Sequence, residues 1–453
     1  MRRPELKAKL SSDEITKVKF AVTDIDGILR GKLLSTRKIL KALESDIGFC
    51  NVIFGWDMND VVYDNTDVSG WHTGYADAKA TLDIATYREI PWDDNCPLLL
   101  GDFSNSGDPV HNVCPRTLLK KIVDEASDMG FKAVFSNEFE WFNFKETPHT
   151  LIEKEFKDLT PLTPGMFGYS ILRSTFSQEF FNTLFEQLQT FRVELEGLHT
   201  ETGPGVYEAA IAHTDVLEAA DRAVLFKSAV KELAYQHEIL ASFMAKWSTN
   251  YPGCSGHIHQ SLWNTYNQNA FFDDSGETEI SQTMKHYIGG QLHCMPYIMP
   301  FYAPTTNSYK RFISGSWAAT SVSWGFENRT TALRVIPGGR QSTRLETRVP
   351  GADTNPYLSM AASLASGLYG IKNEIDPQIP STDGNEYKNE KASPLPKTLD
   401  DAVAAMKNSD ISDELFGEEF CDHFIKTREW ECKCKQADEE DPLWERKRYF
   451  EII

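Results

Sequence analysis

Three stretches of the chain alternate apolar and ionisable residues, the period-two signature of strands with one polar face. Residues 132–144 (KAVFSNEFEWFNF) put Glu138 and Glu140 on one face. Residues 255–262 (SGHIHQSL) put His257 and His259 together, with Ile258 and Leu262 opposite. Residues 343–349 (TRLETRV) put Arg344, Glu346 and Arg348 on one face, with Leu345 and Val349 behind. Three strands with apolar backs and ionisable fronts predict a sheet whose concave face is a polar site. Two more strands are predicted within 17–36, around the turn Asp26-Gly27. Helical spacing is found at 115–129, stopped by Gly130, and at 178–192, where Phe181, Leu184, Phe185, Leu188 and Phe191 recur. It is clearest at 216–245, where Val216, Leu217, Ala220, Val224, Leu233, Leu240 and Phe243 form a stripe behind a capping box of Asp215 and Glu218. A polar stretch from Ser104 to Pro109 separates an N-terminal part, 1–108, from a larger part, 109–453. Residues 375–397 read as a surface excursion, and no internal repeat is visible.

A chain of 453 residues is too long for one small core, in keeping with two domains. Its formal charge of −20 excludes nucleic acid, whose phosphates need a basic footprint, and argues against docking on an anionic membrane. No signal core or membrane-length apolar run follows the N-terminus. The cysteines are scattered, only Cys432 and Cys434 lying close, which predicts free thiols and a cytoplasmic protein.

A charged strand face is by itself most often solvated. Here Glu138 and Glu140 sit among Phe135, Phe139, Trp141, Phe142 and Phe144, which argues for burial on at least one side, and carboxylates are seldom buried unless paired or on a metal. The Gly/Pro-shaped loop 199–208 (HTETGPGVYE) adds Glu201 and Glu208. Together with Glu346 and His257 these acids would repel one another unless cations lay among them, and oxygen-rich ligation with one imidazole favours Mg²⁺ or Mn²⁺. Arg311, Arg329, Arg334, Arg344 and Arg348 follow within a short stretch, and guanidinium suits phosphate and carboxylate. Metals beside arginines are what phosphoryl transfer needs. Neither GxxxxGK[ST] nor GxGxxG occurs, so chemistry alone stops at metal-dependent phosphoryl transfer without a substrate.

NEFEWF, GYS at 168–170, HTETGPGVYE, GCSGHIHQSL, NSYKR at 307–311, ENRTTALRV at 327–335 and RLETRVPGADTNPYL at 344–358 resemble, in order and spacing, the glutamine synthetase superfamily over nearly the whole chain. The resemblance implies an α+β fold: an N-terminal β-grasp domain, 1–108, and a C-terminal catalytic domain, 109–453, whose curved antiparallel sheet is covered by helices. It implies an ATP-dependent ligase that activates glutamate as a γ-glutamyl phosphate and passes it to an amine or ammonia. Glu140, Glu201 and Glu208 would hold one Mg²⁺ or Mn²⁺, and Glu138, His257 and Glu346 a second. Arg311 and Arg348 would hold glutamate, Arg329 and Arg334 the phosphate and transition state, and His259, Ser261 and Arg344 the nucleotide. Asp57 would reach a neighbouring subunit's site, Tyr169 would flank the ammonium pocket, and the assembly would be a homo-oligomer of two stacked hexameric rings.

The chain departs from ammonia-using members at the flap. After NSYKR they carry approximately VPGYE, whose Glu binds and deprotonates ammonium. This chain reads Arg311-Phe312-Ile313-Ser314-Gly315-Ser316-Trp317, with Trp317 at the place of that Glu. The usual GQ is Gly205-Val206. An organic amine is therefore the expected acceptor, with ammonia the alternative. A non-catalytic homologue would have no physical reason to retain the mutually repelling acids, and a two-metal hydrolase no use for the glutamate and nucleotide arginines.

Overall fold

A computed structural model describes every residue except 1, 12, 13, 105, 277 and 439, so Asn105 of the predicted polar stretch lies outside the described residues. Five strands form the N-terminal sheet: β1 (Lys17–Thr23), β2 (Leu29–Ser35), β3 (Ile47–Cys50), β4 (Asp77–Ile90) and β5 (Cys96–Asp102), in the order β2-β1-β5-β4-β3. β1 and β5 run parallel and the other pairs antiparallel. The predicted turn is the β1–β2 connection. Gly27 is required there: its φ is +84°, and a Cβ would lie 2.9 Å from the Asn355 Cα. The Asn355 amide donates to the Asp24 and Ile25 carbonyls, and Arg428 pairs with Asp26 at 2.5 Å, so this turn is fastened to the C-terminal part of the chain.

The second sheet has nine strands: β6 (Phe131–Phe144), β7 (Leu195–Thr200), β8 (Val206–Ile211), β9 (Thr214–Asp215), β10 (Leu240–Ser242), β11 (Gly256–Asn264), β12 (Trp324–Phe326), β13 (Leu333–Ile336) and β14 (Arg344–Thr347). The main path is β12-β13-β14-β11-β6-β8-β7, antiparallel except for β12–β13. The three alternating stretches became β6, β11 and β14, the last ending at Thr347 so that Arg348 follows it. The apolar face of β6 buries Phe139 and Trp141 against Phe226 of the helix Val216–Gln236 and against Phe243. The helices Pro115–Asp128, Gln282–Tyr302 and Pro356–Lys372 complete the cover. Among the described residues no helix is long and apolar enough to cross a membrane, and all eight cysteines are free thiols.

Two helical expectations are corrected. The predicted helix 216–245 ends at Gln236, because Glu238 takes a left-handed conformation (φ +57°) and Leu240–Ser242 pair with β6 as a strand. Its capping box does not form: Asp215 pairs with Lys132, while Glu218 is taken by Arg88 and Arg222. In the helix Gln178–Thr190 the buried residues are Phe180, Leu184 and Leu188, and Phe185 faces solvent.

The two sheets are also joined through Arg116, which is 2% exposed. Its guanidinium bonds Asp221 twice at 2.9 Å, Asp102 at 2.5 Å and Asp83 at 2.8 Å, and the Tyr357 hydroxyl donates to Asp221. Asp83 and Asp102 belong to the N-terminal sheet, and Asp221 and Tyr357 to the helices behind the nine-stranded one.

Candidate active site

Strand register assembles the ionisable residues. Glu138 of β6 lies opposite His257 of β11, and His259 of β11 opposite Glu346 of β14, itself opposite Arg334 of β13. On the other side Glu140 faces Glu208 of β8, which faces His199 of β7. Directly opposed side chains share a sheet face about 5 Å apart. One diagonal row of ionisable residues therefore crosses six strands. It opens into a cleft of about 700 Å³ lined by Glu138, Glu140, Glu201, Glu208, His257 and His259 on its floor and by Arg311, Arg329, Arg334, Arg344 and Arg348 around them. Tyr169 and Trp317 stand in its walls.

Glu346 lies beneath this floor at 1% exposure. Arg348 reaches it at 2.5 Å, Arg334 at 2.9 Å and His257 Nδ1 at 3.4 Å. Burial opposes its charge, but Arg348, His259 and His257 hold its carboxyl down at about 2. Glu138 is similar: burial pushes it up, and hydrogen bonds from His257 and His259 bring it well below the carboxylate range. His257 Nδ1 is 3.4 Å and His259 Nε2 3.5 Å from its two oxygens. Ligand-type atoms of Glu138, His259 and Glu346 lie within 4.8 Å of one another, so the three strands converge on one point of the floor.

The two histidines differ in what their nitrogens offer. Arg344 Nε lies 3.3 Å from His259 Nδ1, and because guanidinium can only donate, Nδ1 accepts and the proton sits on Nε2, facing Glu138. His257 Nδ1 faces both Glu138 and Glu346 with no such constraint. His257 Nδ1, which no donor addresses, can give up its proton and present a lone pair when a cation takes its place, whereas His259 is held in place as a proton donor.

At the other end Glu140 accepts from the Ser255 amide at 2.8 Å, and His199 Nε2 meets Glu208 at 3.3 Å. Glu208 is pushed up by burial and by its neighbours Glu140 and Glu138, His199 opposing, and His199, against its own burial, is pushed up by Glu208. Glu201 Oε2 is buried and accepts no hydrogen bond. Mutually repelling acids with an unused buried oxygen suit a hard divalent cation, and the oxygen-rich donors with one imidazole suit Mg²⁺ or Mn²⁺.

Arg311 is buried, donates to the Val349 carbonyl and lies near Asp353, whose Oδ2 is held by Ser308 and Thr305. Arg334 also pairs with Glu327. Arg329 is exposed, and only its backbone carbonyl is engaged, by Arg348. Tyr169 stacks on His199 with ring centres 4.5 Å apart.

Ser261 lies outside the cleft lining, and Asp57, expected at a neighbour's site, stands apart from it as well. Ser261 donates to the Val134 carbonyl and accepts from the Trp263 indole. Asp57 is 2% exposed, its Oδ2 taken by Arg448 (2.8 Å) and the Trp430 indole (3.0 Å) and its Oδ1 by the Asn59 and Val61 amides. Burial works against its charge and Arg448 prevails, holding it below the usual range. The carboxylate expected at a neighbour's site is held here by the C-terminal helices of its own chain. His199, Glu327 and Asp353 were not singled out from sequence. Only His199 left a signal there, alternating with Glu201 at the start of HTETGPGVYE.

The sequence profile of the glutamine synthetase catalytic domain matches residues 112–449. The chain is 48% identical over 441 residues to the type-1 glutamine synthetase 2 of Dictyostelium discoideum, covering 96% of this chain and 84% of that protein. It is 34% identical over 448 residues to the glutamate–isopropylamine ligase of a Pseudomonas species, covering 98% and 97%. A solved GmaS/ADP complex superposes with a TM-score of 0.83 at 26% identity, covering 98% of each chain.

Proposed function

The chain belongs to the glutamine synthetase family, ligases that form C–N bonds, and from that footing we propose that it joins the γ-carboxylate of glutamate to an organic amine at the expense of ATP. Glu140, Glu201 and Glu208 would hold one divalent cation, and Glu138, His257 and Glu346 a second. Bound there, such cations neutralise phosphate oxygens and polarise the transferring phosphoryl group. Arg311 and Arg348 orient glutamate, Arg329 and Arg334 take the charge that moves between phosphates, and Arg344, His259 and Ser261 serve the nucleotide side.

A γ-carboxylate oxygen attacks the γ-phosphorus, and the bond to ADP breaks. The lone pair of a neutral amine then attacks the acyl carbon, the C–O bond to phosphate breaks, and the amine proton leaves on the phosphate. The acyl phosphate must be kept from water, a task for the flap carrying Trp317 and for a neighbouring subunit in a ring assembly of two hexamers. The division near residue 108 into β-grasp and catalytic domains belongs to the same proposal.

Trp317 carries the choice of acceptor. It is 65% exposed in the cleft wall at the position where ammonia-using members hold a Glu. Indole is no base, whereas its face attracts alkyl, aryl or cationic groups, worth about 0.5–2 kcal/mol for a cation. The glutamate–isopropylamine ligase relative supports an organic amine; the glutamine synthetase relative supports ammonia as the second reading. Phosphate release with ATP and glutamate across an amine panel separates them. Some organic amine should exceed ammonia in kcat/KM, and Trp317→Glu should move the ratio towards ammonia by about tenfold, or about 1.4 kcal/mol. Ammonia best in the wild type, with an unchanged ratio in Trp317→Glu, would reject the organic acceptor.

A further inference from the structure

We infer that the acceptor is a primary monoamine whose non-reacting end is an uncharged hydrocarbon group, seated against Trp317, Tyr169 and Val206. The inference rests on the ligase reading and names the substrate class of the same site.

All the carboxylates lining the cleft (Glu138, Glu140, Glu201 and Glu208) belong to its floor, where Glu138, Glu140 and Glu208 face histidines or a backbone amide and Glu201 keeps one buried oxygen unused. The other charged side chains lining it are arginines and histidines. A second ammonium on the acceptor would compete with the proposed cations for the floor carboxylates, Glu201 included, and elsewhere would meet guanidinium groups, with only the aromatic faces, worth about 0.5–2 kcal/mol, to offset the loss of water. The walls differ in kind: Tyr169, Val206, Pro252, Trp317 and Ala318 present mainly carbon. The Ser316 hydroxyl beside Trp317 directs its one proton to the Arg311 and Ile313 carbonyls and so offers an acceptor only a neutral oxygen. In the flap, where ammonia-using members have Glu, this chain has Trp317, and where the family usually has the Gln of GQ it has Val206.

The backbone holds these rings at the mouth. Trp317 has φ +63° and Tyr169 φ +54°, a left-handed region that bulky side chains rarely enter. Strain of this kind persists where surrounding structure fixes it, and it clusters at ligand clamps. Both positions are pinned: the Tyr169 amide donates to the Thr200 carbonyl at 2.6 Å, and the carbonyl of Ala318, next to Trp317, accepts from the Tyr387 hydroxyl at 2.9 Å. Yet the two side chains are 65% and 71% exposed, so two aromatic faces are held open to solvent beside the acids.

The test compares n-pentylamine with putrescine, which has the same number of heavy atoms but ends in ammonium instead of methyl, and with γ-aminobutyrate and ammonia. The enzyme is given ATP, glutamate and Mg²⁺, and each γ-glutamyl amide is quantified by mass spectrometry alongside phosphate. n-Pentylamine should exceed putrescine and γ-aminobutyrate in kcat/KM by at least about tenfold, each buried methylene-sized group alone giving a factor of a few. Val206→Gln and Trp317→Glu should narrow that ratio. A wild-type ratio below tenfold overturns the hydrocarbon-end assignment and leaves the ligase standing. No γ-glutamyl amide from any of the four acceptors overturns the ligase reading and the inference with it.

Discussion

The histidine pair gives the sharpest structural prediction. His257 Nδ1 stands 3.4 Å from both Glu138 and Glu346, whereas His259 accepts from Arg344 and keeps its proton on Nε2. If His257 is the proposed ligand, His257→Ala removes its nitrogen from one cation, and one of the two proposed Mn²⁺ sites should vanish from a calorimetric titration. His259→Ala removes a donor that steadies Glu138 but no ligand. Losing such a supporting group weakens metal binding by roughly 10–100-fold, or about 1.4–2.7 kcal/mol, and both sites should remain countable. Arg344→Ala lets His259 change tautomer, so the double variant His257→Ala/Arg344→Ala should recover part of the lost site through His259 Nε2. The spacing of the Glu138, His259 and Glu346 donor atoms permits that substitution. Loss of a site in His259→Ala with both retained in His257→Ala would refute the tautomer argument.

Other consequences follow from buried charge. Arg116→Met should leave Asp83, Asp102 and Asp221 facing one another around one partly exposed lysine, Lys120, and lower unfolding stability in urea by about 3–5 kcal/mol; a loss below about 1 kcal/mol would mean that the network does not join the two sheets. His423 is 1% exposed, neither ring nitrogen is hydrogen-bonded, and burial pushes it from its ordinary 6.5 to about 4. The unfolded chain then takes up the proton first as pH falls, so this residue should remove about 2 kcal/mol of stability between about pH 7 and about pH 5. His423→Leu should show a shallower acid limb, and identical limbs would exclude His423 as its source.

Most of the site was legible because strand pleating leaves little freedom. Once 132–144, 255–262 and 343–349 are strands, Glu138 and Glu140, His257 and His259, and Arg344 and Glu346 must share faces, and antiparallel pairing brings those faces together. The helix 216–245 was overrun because an apolar period does not reveal that Leu240–Ser242 have a strand waiting beside them. The capping box was lost for a related reason: Glu218 finds Arg88, 130 positions away, and no local pattern announces that partner. Arg116 with Asp221, 105 positions apart, was equally invisible. Asp57 was placed by the resemblance alone, and Arg448 and Trp430, which enclose it, come from the far end of the chain. The choice between His257 and His259 depends on which nitrogen Arg344 addresses, a matter of side-chain direction rather than of spacing.

The central claim, that glutamate is activated through its own γ-carboxylate before an amine displaces phosphate, is tested most directly by the fate of that carboxylate's oxygen. Glutamate labelled with oxygen-18 in the γ-carboxylate is turned over with ATP, Mg²⁺ and the best amine of the panel, and the released phosphate is analysed by mass spectrometry. Attack of the carboxylate on the γ-phosphorus followed by C–O cleavage carries one labelled oxygen into each phosphate released with an amide. Amide formed alongside unlabelled phosphate would contradict the account, because phosphate would then have left ATP without ever being joined to glutamate.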